Sequence, residues 1–134
     1  MKVYAVIDTN VLVSALYSKH PDAATLQVVD HVFTQNLIPM YNDEILAEYN
    51  EVLRRPKFNF PQEEITAVID AFIEAGIHSD RAGTDVSATD PKDIVFYEVA
   101  MSRDDSYLVT GNVKHFPKVE RVVTPREMLE ILEK

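Results

Sequence analysis

Asp8, Glu48, Asp93 and Asn112 are the side chains of this sequence whose oxygen donors and placement suit chemistry. Carboxylates gathered in a partly buried site repel one another and must either take up protons or bind cations. Hard oxygen ligands favour Mg²⁺ or Mn²⁺. Such ions activate water and neutralise the charge that develops when a phosphodiester is cut. Cysteine is absent, which excludes disulfides and thiolate metal sites. His20, His31, His78 and His115 are scattered without ligand spacing, so they are expected to be ordinary histidines rather than a zinc site.

Each candidate also has a plainer explanation. Asp8 ends the apolar run Val3–Ile7 and precedes Thr9 and Asn10, the pattern of a buried strand delivering an acid to its tip before a helix. In an open parallel sheet the crevice beyond the strand tips binds ligands. Glu48 lies on a helix whose apolar arc is Ile45, Leu46, Tyr49, Val52 and Leu53. It falls just outside that arc, while Glu44 and Glu51 lie further round in solvent. A lone helix glutamate is most often a surface charge. Asp90-Pro91-Lys92-Asp93 is a good helix start, with aspartate at the cap and proline at the first position. Capping alone accounts for both acids; the functional reading gives the cap to Asp90 and sends Asp93 into the pocket. Thr110-Gly111-Asn112 follows an apolar strand. It is either a plain turn, with glycine for sharpness and asparagine tolerating left-handed backbone, or it brings a hydroxyl and an amide to a neighbouring strand tip.

The elements that must position these groups alternate. Strands are expected over Val3 to Asp8, Leu37 to Tyr41, Ser106 to Thr110 and Arg121 to Thr124, with Ile77 and His78 a very short fifth. Helices are expected over Asn10 to Tyr17, Ala23 to Thr34, from a cap at Asn42 or Asp43 to Leu53, from Pro61 to a stop at Gly76, Asp90 to Met101, and Arg126 to Leu132. Ser18 to Asp22 is expected to turn at Pro21, and Arg81 to Thr89 to be irregular. Ile65, Val68, Ile69, Phe72 and Ile73 form one helical apolar stripe. Ile94, Val95, Phe96, Val99, Ala100 and Met101 point nearly all round, so their helix should be deeply buried. The alternation implies an α/β fold, a three-layer α/β/α sandwich around a central parallel sheet.

The chain has 134 residues, of which 46% are hydrophobic; one domain over 1–134 is expected, with a sizeable core. No apolar segment is long enough to cross a bilayer and no signal peptide is evident, so a cytoplasmic location without membrane contact is expected. The net charge of −9 repels phosphate backbones at long range. It suits a carboxylate-lined cation site, a basic protein partner, or simply solubility.

The segments Val6 to Ala15, Glu44 to Tyr49 with Val52 to Pro56, Asp90 to Asp93 and Leu108 to Asn112 resemble the PIN-domain family. The similarity covers essentially the whole chain and is strongest to toxin nucleases of prokaryotic type II toxin–antitoxin systems. The resemblance implies a metal-dependent ribonuclease acting on single-stranded RNA. It implies that Asp8, Glu48 and Asp93 bind Mg²⁺ or Mn²⁺ and that Thr9, Asn10 and Thr110, with Asp90, support the pocket. A basic antitoxin and a homodimer are the expected partners. The family's fourth acid commonly sits where this chain has Asn112, which carries no charge; Asp90 and Asp104 are the acids placed to compensate. Arg54, Arg55, Lys57, Lys114 and His115 would have to guide RNA against an acidic total, unless they are solvated or dipole-compensating charges.

Two rivals stand beside this. A strand-tip aspartate also suits phosphohydrolases that form an aspartyl-phosphate, although no second acid closely follows Asp8. Asn112 in place of an acid suits a binding or assembly module whose chemistry is weakened.

Overall fold

The apolar run of the first strand, β1 (Val3–Ile7), lies at the centre of a five-stranded sheet. In the computed structural model the described residues are 2–18, 20–84 and 90–134. Lys19, in the expected turn, and residues 85–89, in the expected irregular stretch, lie outside them. The chain continues through α1 (Thr9–Tyr17), α2 (Ala24–Phe33), β2 (Leu37–Tyr41), α3 (Asp43–Leu53), α4 (Gln62–Ala75) and β3 (Ile77–His78). It then runs through α5 (Pro91–Ala100), β4 (Tyr107–Val109), a 3₁₀ turn at Val113–His115, β5 (Val122–Val123) and α6 (Pro125–Leu132).

The strand order is β3-β2-β1-β4-β5, and every pairing is parallel. Parallel sheets are covered on both faces, so their strands are continuously apolar. Ala5, Val6, Ile7, Leu108 and Val109 are accordingly inaccessible to solvent. α5 packs on β1, β2 and β4, while α2 packs on β2 and touches α1, α4 and α6. This is the α/β/α sandwich that the alternation implies. The path leaves β1 toward β2 and β3, then returns to the other side of β1 for β4 and β5. The order therefore reverses between β1 and β4, and the crevice at that reversal opens beyond their C-terminal ends. Among the described residues no helix is long and apolar enough to cross a membrane.

Local chemistry explains the boundaries. Asn42, not Asp43, caps α3, its side-chain oxygen accepting from the Ile45 amide at 2.8 Å. Asp90 caps α5 by accepting from the Lys92 amide at 2.9 Å, with Pro91 at the first position. Thr124 and Glu127 close a reciprocal capping box on α6, with Pro125 at its first helical position, where a missing amide hydrogen costs nothing. Ile73, assigned to the buried stripe of α4, is instead 46% exposed, at the edge where the helix turns to solvent. α5 carries buried side chains around most of its circumference.

Candidate functional site

The tip of β1 delivers Asp8 to the crevice at the reversal point. Its backbone amide donates to the Val109 carbonyl at 2.9 Å, fixing the tips of β1 and β4 side by side. Asp8 is only 8% exposed. Burial pushes its carboxyl up to about 6; a hydrogen bond from Thr110 opposes the rise, and the charges of Asp93 and Glu48 add to it. Thr110, wholly buried at the tip of β4, donates its hydroxyl to Asp8 Oδ2 at 2.7 Å and accepts from the Asn112 amide at 3.0 Å. Asn10 Oδ1 accepts from the Gly111 amide at 3.3 Å, which ties the start of α1 to the same turn.

Glu48 enters from α3, half-buried, and its Oε2 accepts from the Thr9 hydroxyl at 2.6 Å. The boundary position expected from the helix arc is thus where it lies. Asp93 enters from the first turn of α5. Burial raises its pKa, Asp90 raises it further, and His115 opposes the rise. Asp90 takes the cap, and Asp93, half-buried in the first turn, lies near enough for its charge to act on Asp8. His115 Nδ1 stands 4.0 Å from Asp93 Oδ2, so this histidine belongs to the site's surroundings and is not merely a scattered one.

Asp8, Glu48 and Asp93 therefore share one electrostatic environment at the strand tips. Among the described residues, no three His, Asp or Glu side chains stand close enough together to hold a metal ion between them. The donor set fits a hard cation by type and by charge: burial and the charges of Asp93 and Glu48 raise the proton affinity of Asp8, and a divalent cation would reverse that. Glu48 is at present held by Thr9 rather than turned onto Asp8.

Asn112 is exposed, and its amide side chain caps nothing. Its φ is −123°, and among the described residues no glycine has a positive φ. The turn expected at Gly111-Asn112 thus forms without left-handed backbone; Thr110 and Asn10 hold it by hydrogen bonds. Asp104 precedes β4, at the opposite end of the strand from Thr110, and so stands away from the tips and cannot compensate for Asn112. Arg54 is engaged with Asn50 Oδ1 at 3.3 Å and Arg55 with Glu51 at 2.9 Å. Both lie at the end of α3, roughly 9 Å along the helix from Glu48, and serve α3 itself. Lys57 Nζ sits 5.1 Å over the Phe58 ring.

Two residues passed over in the sequence take part. Lys92 lines a groove of ≈ 300 Å³ between α3 and α5, together with Glu48, Val95 and Phe96; its place between Asp90 and Asp93 was the available signal. Tyr49 was counted in the apolar arc of α3. It is fully buried against Phe72 and Phe96, and its hydroxyl donates to the Ile7 carbonyl just before Asp8. Burial first, then the charges of Asp8 and Glu48, holds its pKa well above the ordinary value. Nothing in a periodicity reading distinguishes such a tyrosine from a phenylalanine. Tyr49→Phe keeps the ring contacts and strands the Ile7 carbonyl, at about 1–3 kcal/mol. Chemical denaturation should show that loss, and an unchanged midpoint would rule out the tie between α3 and the strand tip.

A family model described as PIN domain matches residues 4–114. Among curated proteins, and among solved structures, nothing matches the chain.

Proposed function

The chain belongs to the PIN-domain family, whose members are typically nucleases and generally use divalent metals, and on that premise we propose that it is a Mg²⁺- or Mn²⁺-dependent ribonuclease cutting single-stranded RNA. The observation that carries the reading is the placement of Asp8, buried at the tip of β1 and bonded by Thr110, with Glu48 held by the adjoining Thr9. A carboxylate buried as Asp8 is is stable as an anion only beside positive charge. A cation held by Asp8, Glu48 and Asp93 would activate water and neutralise charge at the scissile phosphate. Thr110 orients Asp8, and Thr9 orients Glu48. Asn10 steadies the turn that carries Thr110. Lys92, in the groove beside Glu48, offers a positive charge to an incoming phosphate.

The reading extends to the toxin component of a toxin–antitoxin pair, acting in the cytoplasm as a homodimer. A basic antitoxin would complement the net charge of −9. One observation favours a second reading, a weakened PIN module kept for binding: Asn112 is uncharged and exposed. The two separate in one assay. Purified protein should cut unstructured RNA in Mn²⁺ and stop on addition of EDTA. Cleavage that persists in chelator removes the metal-dependent reading, and failure to bind Mn²⁺ at all leaves the module.

A further inference from the structure

The connection from β4 to β5 walls a second cavity, ≈ 550 Å³ in volume, that the acid cluster does not use. Val113, Pro117, Val119 and Val122 supply apolar surface to it, and Lys114 and Lys118 supply charge. We propose that this cavity seats one nucleotide of a single-stranded RNA beside the bond that is cut, with the base on the apolar wall and the backbone phosphate at Lys114 and Lys118. The proposal rests on the ribonuclease reading above.

Four observations support it. The volume is that of a small-molecule site rather than a surface dimple. Residues 113–119 carry two lysines, one histidine and no acid, in a chain with 22 acids and 13 lysines and arginines; this stretch runs against the charge of the whole. Among the described residues neither lysine forms an ion pair with a carboxylate. The one carboxylate on the wall, Glu127, accepts from the Thr124 amide at 2.8 Å and is held in the cap of α6. The third observation is position. The cavity begins at Val113, one residue after Asn112, and His115 in the same turn stands 4.0 Å from Asp93. A strand of RNA whose phosphate meets Asp8 and Asp93 would therefore carry its next nucleotide here. Fourth, Val119 keeps 40% of its surface exposed at this place, an apolar face open to a base.

The chemistry selects for class and not for sequence. Lysine ammonium groups hold phosphate as point charges, and apolar walls accept the face of any base. The cavity is thus a backbone-and-base seat without a base-edge code.

The test measures binding apart from cleavage. In an Asp8→Asn background, the affinity of a short labelled single-stranded RNA is read by fluorescence anisotropy across a salt series. Adding Lys114→Ala and Lys118→Ala should weaken binding about tenfold and lower the salt slope by about 0.7, the share of one phosphate on a single strand. Val119→Asp should weaken binding as well, while Lys2→Ala, before β1 at the other end of the sheet, should not. Lys114 and Lys118 are exposed, so their loss leaves folding intact. Unchanged affinity and slope in the double variant overturn the proposal, as does a parent that binds no RNA. RNA that binds through the two lysines but is never cut by the unmutated protein in Mn²⁺ keeps the cavity and removes the ribonuclease. Normal cutting with unchanged affinity in Lys114→Ala/Lys118→Ala removes the cavity alone.

Discussion

Asp8→Asn is expected to stop RNA cleavage and at the same time to make the protein more stable at neutral pH. The activity loss should be on the order of 10²–10³-fold or more, since the variant removes a charge from the place where a cation would act. The stability gain follows from the environment of the carboxyl. Folded, Asp8 holds its proton up to about 6, against an ordinary 3.8. A group whose folded pKa is raised contributes stability below its unfolded pKa and loses it as pH rises through the folded one. Between pH 3.8 and 6 the native protein therefore weakens, and above that it carries an uncompensated buried anion. The difference corresponds to about 3 kcal/mol as an upper bound. Asp93 is shifted the same way and adds to the trend. Asparagine avoids the charge and still accepts the Thr110 hydroxyl. Denaturation in EDTA should show the variant ahead at pH 7 and level with the parent near pH 4. A variant weaker than the parent at pH 7 would mean that the Asp8 anion is already well satisfied, and the case for a cation there would lose its basis.

How much of this was visible in the residues depended on what local pattern can carry. Asp8 announced itself because a buried parallel strand is an unbroken apolar run, and the first polar residue after it must sit at the tip. Glu48 was located by helix geometry alone, since a position 100° per residue round an arc needs no tertiary knowledge. The division of labour between Asp90 and Asp93 was not decidable from the residues: one Asp-Pro-x-Asp spacing serves both explanations, and it is the hydrogen bond from the Lys92 amide that gives the cap to Asp90. Tyr49 was hidden for a different reason. Its role depends on one hydroxyl reaching a carbonyl 42 residues away, and periodicity carries no information about where a side chain's far end stops. The turn expected at Gly111-Asn112 is present, but it does without the left-handed backbone open to those residues, because Thr110 and, from the start of α1, Asn10 hold it by hydrogen bonds. Arg54, Arg55 and Lys57 have their nearest partners within α3 and its following loop, a local option that a charge count overlooks.

Gly76→Ala is the substitution expected to damage the fold most. The residue ends α4, the place read from sequence, but not for the reason that usually puts glycine there. Its φ is −99° and its ψ −173°, extended backbone that alanine adopts freely. The constraint is space. A Cβ at position 76 would lie 2.3 Å from the Pro39 carbonyl oxygen, 2.6 Å from the Phe72 carbonyl oxygen and 2.9 Å from Pro39 Cγ. Two of these are main-chain atoms, one in β2 and one in α4, so no side-chain rotation relieves the clash. The same crowding explains how a proline sits within β2. β3 pairs only with Met40 and Tyr41, so on that side Pro39 faces the passing chain at Gly76 and has no ladder to interrupt. Overpacking of this kind costs about 1–3 kcal/mol, and more where main chain must move; a loss of about 3 kcal/mol is a large part of a domain's stability. Pro39→Ala added to Gly76→Ala should rescue little, because the carbonyl contacts persist. Full recovery in that double variant would place the conflict in the proline ring instead. The damage should also reach cleavage. β2 leads straight into Asn42, the cap of α3, and α3 carries both Glu48 and Tyr49. A displaced β2 would tilt the helix that positions Glu48, so activity should fall below what the remaining folded fraction accounts for.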